Sequence, residues 1–488
     1  MISILVGVDS IALLGQVIVG LGFFVYSILE REKRASFFAG IQLAFMFLVL
    51  IAFLLIARSG YFQSATGGTL LMVASFVSAG LLYSLIRKTK SNTRALQGTN
   101  GYVVDNVDRF DERKVVFSRV RYMPGTKEFE MFYQENPELA EIDEKRRAKG
   151  FVLGTFGSID APNEKPNVAS MVAARYFGAQ MGRPEIIRPK QAPFFQGQKE
   201  VMTPEKASQL IKGYTKHLGA CMVGVTKLDP RWVYSHIGTI QKDGWDHGEA
   251  DWSKWGKKIN LDHKYVIVFA EEMDREMIDS SPHTPCFVES MANYAKGAFI
   301  STQLAAYLAN LGYSATANHV HHYELILPPL AADAGLGEVG RLGYLLTKKY
   351  GPRVRLSAVT TDMPLALDKP VDIGVEDFCR ICKKCATTCP SGSIPTGTEM
   401  MEANGTLRWK LDPDSCFSYW GKIGTDCCIC MRVCPWSHAR TWPHKLIVWW
   451  IARNKWARRI FKHLDDIFYG THPKAKMPPG WANYSKDN

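Results

Sequence analysis

Nine of the chain's eleven cysteines fall between positions 379 and 434. Cys379, Cys382, Cys385 and Cys389 follow the spacing C-x2-C-x2-C-x3-C, and Pro390 trails them. A second series holds Cys416, Cys427, Cys430 and Cys434, with Pro435 behind it. Three closely spaced thiolates reach three corners of one iron–sulfur cubane, and the fourth cysteine of such a run ordinarily ligates a second cluster. The spacing therefore predicts two [4Fe–4S] clusters. One takes Cys379, Cys382, Cys385 and Cys434; the other takes Cys389, Cys416, Cys427 and Cys430. Cys428 is left spare. Zinc also accepts C-x2-C pairs, but two complete runs with trailing prolines make it the weaker reading. Cys221 and Cys286 stand apart from the series and are expected to be buried apolar residues.

Clusters of this kind relay electrons, so the substrate chemistry is expected in the body between residues 100 and 365. At 488 residues the chain exceeds one typical domain. Its 22% charged and 47% hydrophobic residues are globular in balance. The net charge of +12 raises the question of nucleic acid. The basic residues instead flank apolar stretches and populate the tail, where anionic lipid is the better neighbour, and nucleic acid is set aside as a partner.

Three uncharged stretches, 11–29, 37–57 and 69–86, open the chain. Each is close to the ~20 residues that cross the hydrocarbon of a bilayer. Arg31, Lys33 and Arg34 follow the first stretch, and Arg87, Lys88, Lys90 and Arg94 follow the third, whereas the loop between the second and third has only Arg58 at its edge. The positive-inside bias then predicts a multi-pass protein of the cytoplasmic membrane, with everything after residue 90 on the cytoplasmic side. Residues 87–102 read as a polar linker. Further on, Thr203 and Pro204 start a helix that Gly219 stops. The runs 221–228 and 264–270 read as strands, and 287–311 as a long helix. The tail after 440 mixes tryptophan with Arg and Lys. It is expected either to lie amphipathically at the membrane or, preferably, to wrap the soluble body.

The two cysteine runs, preceded by "AGLGEVGRLGYLLTKKYGPRVRLSAVTTDMPL" at 334–365 and "LGYSA" at 311–315, closely resemble the reductive dehalogenases. The resemblance covers roughly residues 100–440. It implies an α+β protein with a nitroreductase-like, corrinoid-binding α/β body and a ferredoxin-like two-cluster domain behind the three transmembrane helices. The implied division is a membrane anchor at 1–90, a corrinoid-binding catalytic domain at 91–365, the cluster domain at 366–440 and the tail at 441–488. The implied cofactors are two [4Fe–4S] clusters and cobalamin or a related corrinoid. The implied reaction replaces carbon–halogen by carbon–hydrogen, with an external ferredoxin, flavodoxin or membrane quinol system as electron donor. In this family a tyrosine gives the proton and a basic residue steadies its anion. The matching positions are Tyr294 and Arg355. A guanidinium within ~4–6 Å is expected to pull the phenol below its ordinary pKa of about 10.

The chain also departs from the pattern. The family's pocket asparagine corresponds to Asn318, but His319, His321 and His322 crowd the same segment and leave the assignment open. No twin-arginine pair lies near the N-terminus, and the spans resemble a separate small anchor protein fused in front. No D-x-H-x-x-G run offers cobalt a histidine, so a bound corrinoid is expected base-off. The alternatives are an epoxide reductase related to epoxyqueuosine reductase, and a membrane iron–sulfur carrier without enzymatic activity. The halogenated substrate's identity and the oligomeric state, a homo-oligomer included, are left open by the sequence.

Overall fold

The computed structural model describes residues 2–148, 169, 173, 198–238, 252–320, 322–438 and 440–482. These fall into two compact units, residues 1–91, 373–382 and 438–473 in the first, and 92–372, 383–437 and 474–488 in the second.

The first unit is helical. Its long members are α1 (Ile2–Leu29), α2 (Lys33–Arg58) and α3 (Ala65–Ile86), all long and apolar enough to cross a membrane. Their outer faces carry exposed Phe45, Leu48, Phe76 and Leu81. Such surfaces are stable against lipid but not water. Small residues allow close packing: Ala35 and Ala39 are fully buried, and Gly20 faces Met46 and Leu43, with Val17, Leu50 and Leu71 buried as well. The C-terminal helices α10 (Trp442–Arg453) and α11 (Lys455–Tyr469) pack on these spans, and α6 (Val375–Cys382) packs on α11.

The second unit is built on a mixed core. Its four-stranded antiparallel sheet has the order β1 (Met222–Lys227), β2 (Tyr265–Glu272), β4 (Val354–Thr361), β3 (Ala315–Asn318). In β2, alternation sends Ile267 and Phe269 to one face and Val266 and Val268 to the other, and all four are buried. On the first face, Ala207 and Ile211 of α4 (Pro204–His217) and Ile300, Leu304 and Leu308 of α5 (Thr284–Asn310) complete the core. The other face is closed by Leu330, Leu336 and Leu345. Being covered on both sides explains why β2 reads as a continuous apolar run.

The expected helix at 204 begins as its residues demand. Thr203 Oγ1 accepts from the Lys206 N–H at 3.3 Å, and Gly219, at φ +115°, ends it. The "linker" contains local structure: a short helix over Thr93–Leu96 and a 3-10 turn over Gly98–Tyr102. Asp333 anchors it, accepting from Thr99 N and Thr99 Oγ1 at 2.7 Å each.

Candidate active site and cluster ligands

Helix α5 is pressed against β2, β3 and β4, and this packing assembles the site. Gly297 lets the approach happen, because a Cβ there would collide with Ser357 Oγ of β4. One turn before it stands Tyr294, and two residues before Ser357 stands Arg355. The two side chains meet: the Arg355 guanidinium carbon lies 4.9 Å from the centre of the Tyr294 ring.

Arg355 is held from behind. Its Nη2 donates to Ser290 Oγ at 2.6 Å and lies 3.6 Å from Asp426 Oδ2. Ser290 Oγ is itself 2.6 Å from Asp426 Oδ2, and Cys286 Sγ is 3.2 Å from Asp426 Oδ1. Cys286, Ser290 and Tyr294 follow one another every fourth residue, so they share one face of α5. Asp426 arrives from the cysteine segment. The guanidinium is disfavoured by burial, but Tyr294, Cys428 and Asp426 more than restore its charged form.

The same surroundings decide the acidity of Tyr294. Burial raises the phenol and is the larger effect; Arg355 lowers it, and Asp426 and Cys428 raise it again. The net position is above 10. The expected depression by Arg355 is present but outweighed, since removing a phenolate from water costs more than one cation returns. A phenol of that kind keeps its proton until a stronger base forms beside it.

Asn318 is placed differently from this pair. It is fully buried in β3; its Oδ1 accepts from Glu324 N at 2.8 Å and its Nδ2 donates to Thr316 O at 3.2 Å. Both ends of the amide therefore brace the turn that pairs His319 with His322. The rings of His319 and His322 pack edge to face at 5.4 Å. His321 lies outside the described residues.

Six of the eight expected ligand cysteines lie in the second unit, among them the four expected to share one cluster. Cys389 follows α7 (Lys384–Thr387), Cys416 lies in α8 (Pro413–Ile423), and Cys427 and Cys430 bracket the start of α9 (Ile429–Arg432). Their mutual influence shows in their acidities. Burial and then the neighbouring Cys389 and Cys428 push Cys416 up to about 11. Burial followed by Cys427, Cys428, Cys385 and Cys416 holds Cys430 far above the ordinary thiol. Crowded, buried thiols that raise one another are what a cationic metal cluster relieves. Cys389 runs the other way: burial opposes its thiolate, yet the Ser391 hydroxyl and the N–H groups of Ser391, Ile394 and Ser393 outweigh it. No disulfide joins any two of the eleven cysteines. Cys428, between Cys427 and Cys430, sits at φ +46°, a left-handed residue that turns the chain between the two ligands. Lys383 does the same at φ +55° between Cys382 and Cys385. Cys379 and Cys382 lie on α6 in the first unit, whereas Cys385 and Cys434 belong to the second.

Three participants were not anticipated from sequence. Ser290 and Asp426 hold Arg355, and Tyr344 is influenced, after burial, by Cys430, Cys416, Arg355 and Tyr294. The i, i+4 spacing back from Tyr294 points at Ser290 and Cys286. Nothing local marks Asp426 except its place before Cys427. Cys286 is indeed fully buried, but it is no isolated apolar residue: its sulfur, a carboxylate oxygen of Asp426 and the sulfur of Cys428 lie within 4.8 Å of one another.

No family model matches the chain. It is 37% identical over 275 residues to a tetrachloroethene reductive dehalogenase of Desulfitobacterium hafniense, covering 49% of this chain and 50% of the relative. The chain thus spans about half the length of the curated relatives it matches. A solved reductive dehalogenase described as B12-dependent superposes with a TM-score of 0.60 at 25% identity, over 79% of this chain and 49% of that one. A catabolic reductive dehalogenase in complex with 3-bromo-4-hydroxybenzoic acid gives 0.56 at 26% identity, over the same shares. By sequence over about half its length and by fold over most of it, this chain is similar to the reductive dehalogenases.

Proposed function

We propose that the chain is a membrane-anchored reductive dehalogenase, in which Tyr294 delivers the proton that replaces a halogen. The observation that carries this reading is the Tyr294–Arg355 pair, 4.9 Å apart and braced by Ser290 and Asp426 one residue away from a cluster cysteine. Cys389, Cys416, Cys427 and Cys430 would hold one [4Fe–4S] cluster; their crowding and the N–H groups around Cys389 fit it. Cys379, Cys382, Cys385 and Cys434 would hold the other, a set supported by spacing alone.

A base-off corrinoid bound beside Tyr294 would supply the low-valent cobalt that brings electrons to the carbon–halogen bond. The fit rests on the phenol, which Arg355 backs while part of its surface stays exposed. Within the chain, Tyr294 holds a proton that burial keeps in place, and Arg355 lowers the cost of the phenolate left once it is given. Ser290 and Asp426 fix the guanidinium, so its charge is already oriented when the phenolate appears. Tyr344 packs against the hydrophobic cluster of Cys286, Cys428 and Met431, near enough to this pair and to Cys416 and Cys430 for all four to influence its phenol.

The substrate class is a halogenated organic molecule, and electrons come from an external donor. The three apolar helices associate the protein with a membrane; crossing it three times with the basic ends in the cytoplasm is the orientation their flanking charges favour. The division into anchor, catalytic body and cluster domain near residues 90, 365 and 440 belongs to the same reading. Tyr294→Phe tests it. Dehalogenation should be lost while iron and corrinoid content stay at wild-type levels. Retained turnover would remove Tyr294 as the acid, and protein holding iron but never a corrinoid would leave an electron carrier.

A further inference from the structure

We infer that α11 is a second membrane-binding element, lying along the bilayer interface with one side chain stripe in lipid. The inference rests on the membrane reading of α1–α3. Along α11, Trp456, Ile460, Leu464 and Ile467 are exposed at 55%, 45%, 37% and 45%. Their spacing of four, four and three puts them on one face. The opposite face is spent on protein: Ala457, Arg458, Asp465 and Phe468 are buried. Lys455, Arg459 and Lys462 run beside the stripe on its third side.

What covers the stripe follows from where the helix is tied. At its start, Asn454 Nδ2 donates to Ser84 O and Arg87 O at 2.5 and 2.7 Å, at the C-terminal end of α3. At its finish, Ile467 O accepts from Arg34 Nε at 2.8 Å, and Phe468 packs on Ala35 and Ala39 at the N-terminal end of α2. Fifteen residues of helix span ~22 Å, so α11 bridges the basic ends of two antiparallel spans and runs across the bundle, not along it. Its fastening points lie within one or two turns of those ends, or about 10 Å, the depth at which interfacial helices sit. α10 approaches as deeply, with Trp442 packed against Gly22 of α1. The exposed stripe is thus continuous with the lipid-facing surface of the spans. Arg34 and Arg87 stand at these fastening points and Lys88 and Lys90 follow directly in the chain, a basic composition that suits anionic phospholipid headgroups. Tryptophan at one end and long basic side chains along the flank are the composition such a position selects.

The consequence is that the anchor grips the membrane from two directions, by insertion and by a helix lying flat. The test uses the full chain in mixed phosphatidylcholine–phosphatidylglycerol nanodiscs, with the photoreactive residue p-benzoylphenylalanine placed at one position at a time. Positions Ile460 and Leu464 read the stripe, Phe45 reads a span, and Val201, exposed at 82% in the second unit, reads water. After illumination, lipid adducts are counted by mass spectrometry. The inference expects yields at 460 and 464 within about threefold of position 45 and about tenfold above position 201. Adducts at 45 with only the position-201 background at 460 and 464 overturn it and leave the spans standing. No adducts at 45 would overturn the membrane reading and this inference together. Should position 460 reject the bulky residue, position 467 reports on the same stripe.

Discussion

Gly297 is a point of close approach between the helix that carries Tyr294 and the strand that carries Arg355, and Gly297→Ala measures how much the site depends on it. In mid-helix this substitution ordinarily stabilises by about 1 kcal/mol. Here the new Cβ would collide with Ser357 Oγ, while Glu271 Oε1 at 3.2 Å and Ser357 Cβ at 3.4 Å leave little room beside it. Overpacking of this kind costs about 1–3 kcal/mol, so a net loss of about 1 kcal/mol is expected. In a Ser357→Ala background the colliding oxygen is gone, and the closest remaining neighbour is the end of the Glu271 side chain at 3.2 Å, which has a few tenths of an ångström to give. There Gly297→Ala should be neutral or stabilising. The two sites should therefore couple by about 1–2 kcal/mol in a double-mutant cycle. Thermal unfolding of the four iron-loaded proteins in nanodiscs, followed by circular dichroism, gives the stabilities; under the proposed function, dehalogenating turnover gives the rates. A displacement of about 1 Å between Tyr294 and Arg355 is expected to cost the single variant about 100-fold in rate, with the double variant recovering most of it. Single-variant stability at or above wild type, or effects that add within about 0.5 kcal/mol, would refute the argument that this contact sets the spacing.

Ser290→Ala removes a hydrogen bond to a charged group, worth about 1.5–3 kcal/mol, and should lower kcat about 10- to 100-fold with KM little changed; Ser290→Thr should restore part of it. Glu271 is fully buried, and burial holds its carboxyl well above the ordinary value, against smaller opposing effects of Lys296, Ser357 and Arg355. The folded state therefore keeps a proton that the unfolded state releases near pH 4.5, so this group's contribution declines as pH rises beyond that point. Glu271→Gln should flatten the decline, giving a variant that gains on wild type in melting temperature between pH 5 and pH 8; parallel profiles would refute it. Cys428→Ala should keep about eight irons per chain, whereas Cys427→Ala should fall toward about four, as iron analysis under anaerobic conditions would register.

What the sequence by itself determined is what local spacing encodes. Cysteines three and four residues apart suggest cluster ligation whatever the fold, because turn geometry alone can bring their sulfurs together. The three apolar stretches are likewise legible, since crossing a membrane is a matter of length and hydropathy; the helices found there, Ile2–Leu29, Lys33–Arg58 and Ala65–Ile86, extend beyond the stretches read. The start of α4 follows from Thr203 and Pro204 for the same local reason. Tertiary structure alone decided the rest. Ser290 and Asp426 stand 136 residues apart, and only the seating of α5 on β4 makes them partners of Arg355. The acidity of Tyr294 turned on a balance of burial against one guanidinium, and burial has no signature in a single residue's neighbours along the chain. Asn318, matched by its place in the sequence, proved to have both ends of its amide committed to a local turn. The tail's helices were readable as amphipathic, but which surface they close, and which they leave for lipid, depends on contacts with residues more than 360 positions away, as at Asn454 and Ser84.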